Sequence, residues 1–269
     1  MQAFRIKVIM FALLFIIKSL GAQKTVYIPR FITNTGMDLN DDKSQWSYAR
    51  SVETENVVVF WEPGFGADPS LSPSPYTVDM KNLIEVGEKS YRIMLDSLKF
   101  AIKDSSVTDQ YKLMIFLLYT TDWHASGSGQ DDSVATIFVS PAAANGDHVV
   151  AHEIGHGFQY IIGCDTEGGF RYGLGDNGVG GNGFWEQCAQ WMAYQVYPEQ
   201  LFVDGDYNNY IQNNHLHILH ENTRYANYFI TEFWTYKNGI DFIGKLWRAS
   251  RRPEDPVEAY KRLNNLDQA

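Results

Sequence analysis

The chain has 269 residues, a formal net charge of −10 and two cysteines. No cluster of basic residues follows its first few positions, so it lacks the electrostatic footprint that a nucleic acid or an anionic membrane surface requires. Its length suffices for one large domain or two tightly packed subdomains.

Arg5 and Lys7 precede an apolar run from Val8 to Ile17, and Ser19-Leu20-Gly21-Ala22 supplies small residues before Gln23. This is the pattern of a secretory signal peptide, its apolar run being too short to span a bilayer comfortably. An uncleaved anchor is the competing reading, because Ile16-Ile17-Lys18 offers no clean junction. Cleavage after Ala22 leaves residues 23–269 as one domain, secreted or released into a periplasmic or extracellular space with no stable membrane insertion.

In chain order, Thr25 to Ile28 is expected to form a short strand, and Asn34-Thr35-Gly36 a turn. Asp38, Asn40 and Asp42 alternate like calcium ligands, but the glycine and distal glutamate of a calcium loop are missing, which leaves a solvated loop. Asn56 to Trp61 reads as a buried strand ended by Pro63-Gly64-Phe65-Gly66, and Pro69 to Pro75 as a surface loop. Apolar residues at helical spacing predict one long amphipathic helix from Val78 to Ile102. Tyr111 to Tyr119 and Ala135 to Val139 are apolar runs of strand length, separated by the polar, Gly/Ser-rich stretch Asp122 to Asp132.

After a loop from Pro141 to Asp147 comes Val149 to Tyr160, which contains His152-Glu153-Ile154-Gly155-His156. On a helix, the i, i+4 spacing puts both imidazoles on one side, about 6 Å apart along the axis. Both then reach one ion, while Glu153 lies where its carboxylate meets a water beside that ion. Glu153 is the one charged residue in the stretch, so the helix is expected to be buried and its carboxylate to need a partner. The competing reading is a hydrogen-bonded pair of core histidines.

A catalytic zinc usually takes three protein ligands. Gly163 to Gly183 is crowded with glycine, and Phe184 to Tyr194 reads as a second helix whose one acidic residue, Glu186, is the candidate third ligand. Its alternative role is a helix N-terminal carboxylate favoured by the dipole. Asp165 and Asp176 are the other ligand candidates. Cys164 and Cys188 flank the glycine-rich segment and are candidates for a disulfide across it.

Stabilising the oxyanion formed during attack on a carbonyl needs a hydrogen-bond donor, for which His220, Tyr225 and Tyr228 are candidates. His215, His217 and His220 read alternatively as ordinary helix surface or a second metal site. Ala226 to Trp234, Ile240 to Trp247 and Pro256 to Leu263 are expected helices. The chain stops six residues after the last of them without a further packing element, as a piece of a longer protein would.

The His152–His156 run, with the downstream helix Trp185-Glu186-Gln187-Cys188-Ala189, resembles the glutamate-zincins, or gluzincins. The stretch Asn56 to Pro69, together with the motif helix, is also similar to an uncharacterised family of secreted bacterial domains with a zincin-like core. The resemblance spans roughly residues 55–250. It implies an α+β fold with a zincin-like core: a small N-terminal mixed sheet and long helix, then the motif helix and a mainly helical C-terminal part. It implies Zn²⁺ held by His152, His156 and Glu186, with Glu153 as general base, and a protein, peptide or glycoprotein substrate. It also implies that Ala135 to Val139 is the edge strand above the cleft, against which an extended peptide pairs. The metzincin continuation fails, since Gln159 and Ile162 stand where its Gly and His belong. The expected activity is that of a secreted zinc metallopeptidase. A non-catalytic binding or adhesion module on the same scaffold is the alternative, served equally well by 16 Tyr and 7 Trp.

Overall fold

The computed structural model describes residues 23–175, 178–202 and 205–266. The expected signal peptide, residues 1–22, lies outside them, as does Asp176. Among the described residues no helix is long and apolar enough to cross a membrane.

The fold is α+β. Five strands, β1 (Ser51–Glu53), β2 (Val57–Trp61), β3 (Leu113–Leu117), β4 (Ala125–Gln130) and β5 (Val134–Val139), form one sheet in the order β1-β2-β3-β5-β4. The inner pairs β2–β3 and β3–β5 are parallel, and both outer pairs are antiparallel. Two hydrophobic layers sandwich the inner strands. Val57, Val59, Leu113, Ile115, Leu117, Ala135, Ile137 and Val139 face the main helical core. Val58, Phe60, Met114 and Phe116 face a smaller layer built from the N-terminal segment, including Trp46 and Ile32 of the short helix α1 (Arg30–Asn34). Burial on both faces is why β2 and β3 read as unbroken apolar runs instead of alternating ones.

The main layer is covered by α2 (Met80–Arg92) and, after the one-turn α3 (Pro141–Ala144), by the long motif helix α4 (Asp147–Asp165). A two-stranded hairpin, β6 (Leu174–Gly175) and β7 (Gly178–Val179), precedes α5 (Gly183–Val196), which packs along α4. The remainder is helical: α6 (Asp206–Asn213), α7 (Phe229–Asn238), α8 (Phe242–Arg248) and α9 (Pro256–Leu263).

Several sequence expectations are corrected. The strand expected at Thr25 to Ile28 reduces to a single parallel bridge, Thr25 to Tyr111. The helix expected to reach Ile102 ends as an α-helix at Arg92 and finishes in a π-turn, Ile93–Ser97. There the chain turns under α8, where a side-chain carbon on Gly244 would lie 2.2 Å from the Leu98 carbonyl oxygen. The helices expected at Ala226–Trp234 and Ile240–Trp247 start two to three residues later, as α7 and α8.

The disulfide is the clearest correction, because both cysteines are free. Cys188 is fully buried on α5 and accepts a hydrogen bond from the Trp247 indole at 3.2 Å. Cys164, half-buried near the end of α4, donates to the Tyr160 carbonyl at 3.5 Å, and burial pushes its thiol up to about 12. Thiol alkylation without reductant is expected to modify both cysteines in denaturant and to leave Cys188 unmodified in the folded protein.

One buried carboxylate ties α2 to the sheet. Glu88 accepts from the Thr54 hydroxyl at 2.6 Å and from the Asn56 backbone and side-chain N–H groups at 2.8 Å each. Burial alone would raise its pKa, but these hydrogen bonds and Arg92 bring it below the usual glutamate value. A depressed folded-state pKa contributes stability that is present above the unfolded-state value and lost as pH falls through the folded one. Glu88→Gln is therefore expected to cost about 1–3 kcal/mol at pH 7. In urea titrations that difference from the unchanged protein should shrink as the pH is lowered below about 4.

Candidate metal centre and catalytic cleft

His152, Glu153 and His156 sit midway along α4, all buried. This helix comes unusually close to the sheet edge. A side-chain carbon on Gly127 of β4 would lie 2.0 Å from the Glu153 carbonyl oxygen, and one on Gly129 would lie 2.0 Å from the Tyr160 ring. On the other side, a carbon on Gly155 would lie 2.9 Å from Met192 and 3.3 Å from the Ala189 backbone of α5. Glycines thus let α4 lie against both β4 and α5, and the second approach brings Glu186 to the histidines.

The structure brings the three expected ligands together. The Glu186 Oε2 atom is 3.3 Å from His152 Nε2 and 3.2 Å from His156 Nε2. One potential ligand atom from each residue lies within 4.8 Å of the other two. Two donors about 2.0–2.1 Å from one tetrahedral metal ion are about 3.3 Å apart, which the two separations from Glu186 match.

The outer ring nitrogens define what the inner ones present. His152 Nδ1 meets Gln190 Oε1 at 2.9 Å, and His156 Nδ1 meets Gln159 Oε1 at 2.7 Å. Each amide is oriented by its other end. Gln159 Nε2 donates to the Trp185 carbonyl at 2.8 Å, and Gln190 Nε2 donates to Asp206 at 2.8 Å and to the Tyr194 hydroxyl at 3.1 Å. Oxygens therefore face both Nδ1 atoms, which must carry the protons. In neutral imidazoles this points both Nε2 atoms, together with a carboxylate oxygen of Glu186, at one place, a group that could hold a metal ion.

Burial raises the pKa of Glu153, and Glu186 adds to the effect, while His152 and the Gly127 backbone N–H oppose it. Beside it opens a cavity of about 300 Å³ lined by His152, Glu153, His148, Trp123, Gln190 and Tyr225. The Tyr225 ring is 5.9 Å from that of His152.

The other two oxyanion candidates lie elsewhere. Tyr228 is fully buried, its hydroxyl donating to the Leu201 carbonyl at 2.9 Å. His220 begins the turn Glu221–Thr223, with its Nδ1 accepting from the Asn222 N–H. His220 is fixed by its own turn and Tyr228 by a contact 27 residues away in the chain, neither of which the spacing of aromatic and histidine residues reveals. His215, His217 and His220 form no metal-sized group among the described residues. Asp165 is not a ligand either, since its carboxylate accepts from the Val107 N–H at 2.9 Å.

The expected edge strand is corrected too. β5 is flanked by β3 and β4, so the edge above the cleft is β4, Ala-Ser-Gly-Ser-Gly-Gln, which the sequence reading left in a polar stretch.

Four contributors went unnoticed in the sequence. Gln159 and Gln190 orient the histidines. Trp185 stacks on His156 at 5.3 Å with an interplanar angle of 11°. Glu221 accepts from the Gly183 N–H at the start of α5 at 2.5 Å, and side-chain carbons on Gly173 or Gly181 would meet its carboxylate at 1.7 or 2.5 Å. The glycine-rich segment thus wraps a carboxylate that anchors the helix bearing Glu186. Gln159 and Gln190 had a legible signal, being uncharged polar residues on otherwise apolar helix faces.

No curated protein and no solved structure matches the chain. Its sequence does match one family model over residues 18–269, and the chain belongs to that family, DUF6055, a family of unknown function.

Proposed function

We propose that the protein is a zinc-dependent hydrolase of gluzincin type, most simply a metallopeptidase with a zincin-like core, exported by its N-terminal segment to act on proteins, peptides or glycoproteins. One observation carries the reading: the Nε2 atoms of His152 and His156 and the Glu186 carboxylate converge on one place, and a second carboxylate, the buried Glu153, lines the adjoining cleft. A purely structural ion would not need that second carboxylate.

His152, His156 and Glu186 would hold Zn²⁺, which when bound supplies a Lewis acid and lowers the pKa of a water. Glu153 takes the proton from the attacking water and later gives it to the leaving amine, a task suited to a carboxylate whose pKa burial raises above the ordinary glutamate value. Tyr225, which lines the same cavity as Glu153, donates to the oxyanion. Gln159 and Gln190 hold the imidazoles in the tautomer that leaves Nε2 free.

Elemental analysis of the purified protein tests the site. One zinc per chain is expected, with loss of the metal in His156→Ala and in Glu186→Ala. Absence of zinc after incubation with the metal would favour the binding-module reading. Gln159→Leu removes the acceptor that orients His156 together with the donor to the Trp185 carbonyl, and a competitive chelator titration is expected to show zinc affinity reduced about 10–100-fold.

A further inference from the structure

We propose that the cleft has a second subsite, at the C-terminal half of α4, that binds a carboxylate of the substrate through Arg171 and Arg252. This deepens, and rests on, the hydrolase reading, since it names an acidic peptide as the substrate class.

The pocket of about 300 Å³ beside Glu153 covers residues from the first half of α4, such as Val149 and His152. A second pocket, of about 240 Å³, covers residues from the other half, Gln159, Tyr160 and Gly163, and its walls include Trp185, Arg171 and Arg252. The ligands His152 and His156 lie between the two along the helix, so an extended chain following α4 across the metal centre reaches both.

The guanidinium of Arg171 lies over the Trp185 ring, 3.8 Å from its centroid, and Trp185 in turn stacks on His156. A flat cation is thereby held one aromatic ring away from a metal ligand. Among the described residues, neither Arg171 nor Arg252 has a carboxylate within ion-pair distance. The carboxylate lining this pocket, Asp132, is engaged by the Tyr160 hydroxyl at 3.3 Å, and Glu186 acts on the Arg171 charge only from beyond ion-pair distance. Stacking on an indole orients a guanidinium while leaving its N–H edge free, and that edge matches a carboxylate with two parallel hydrogen bonds. The pocket's size suits an acidic side chain.

Binding and cleavage are measured separately. The probes are acetyl-Ala-Ala-Glu-Ala-Ala-amide and its glutamine counterpart, titrated calorimetrically into zinc-loaded Glu153→Gln protein. The acidic peptide is expected to bind about tenfold more tightly, the size of one charge-assisted hydrogen bond. The preference should fall to within about twofold in the double variant with Arg171→Gln, return partly with Arg171→Lys, and weaken with added salt. Equal binding of the two peptides, a preference indifferent to Arg171, or no binding of either at millimolar concentration overturns the subsite. Cleavage of both peptides at equal rates by the unmutated protein would overturn it while leaving the hydrolase reading intact. Preferential binding without cleavage of any peptide would do the reverse.

Discussion

Glu153→Gln is expected to lower peptide hydrolysis by about 10²–10⁴-fold, the range for loss of a positioned general base, while leaving zinc content unchanged. The substitution preserves shape and keeps an oxygen towards the Gly127 N–H, but it removes the atom that accepts a proton. None of the three converging ligand atoms belongs to Glu153, so the metal affinity should persist. Parallel metal analysis and kinetic assays on one preparation separate this outcome from a folding defect. Unchanged hydrolysis would remove Glu153 from the chemistry. Loss of zinc along with activity would show that the carboxylate serves the site's structure instead.

Gly127→Ala is expected to cost about 3 kcal/mol, lowering the melting temperature by about 6–12 °C, and to depress any hydrolysis beyond what the lost stability explains. The added carbon would lie 2.0 Å from the Glu153 carbonyl oxygen and 2.9 Å from its Cα, so it meets backbone and not a movable side chain. Relief requires β4 to move off α4, which also withdraws the N–H that faces the Glu153 carboxylate. Ser128→Ala, one residue along on the opposite face of the strand, is the control and should change stability by no more than about 0.5 kcal/mol. Calorimetric melting of both variants checks the pair. A stable Gly127→Ala protein would mean that the strand and the motif helix are less closely packed than the backbone distances require.

The parts of this protein legible in the sequence are those set by local periodicity. The i, i+4 histidines, the apolar runs of β2 and β3, and the helix carrying Glu186 each follow from how side chains repeat along a single element. What tertiary structure decided is what depends on the distance between elements. β4 became the sheet edge although Ala-Ser-Gly-Ser-Gly-Gln has no strand-like alternation, because only glycine fits where α4 presses on it. Cys164 and Cys188 stayed apart because one sits at the end of α4 and the other faces Trp247 in the core. Tyr225 reached the cleft while Tyr228, three residues on, was buried against Leu201, since the turn before α7 sends them to different surroundings. Periodicity records which face of an element is buried, whereas the partner it meets and how closely is determined by packing over residues far apart in the chain.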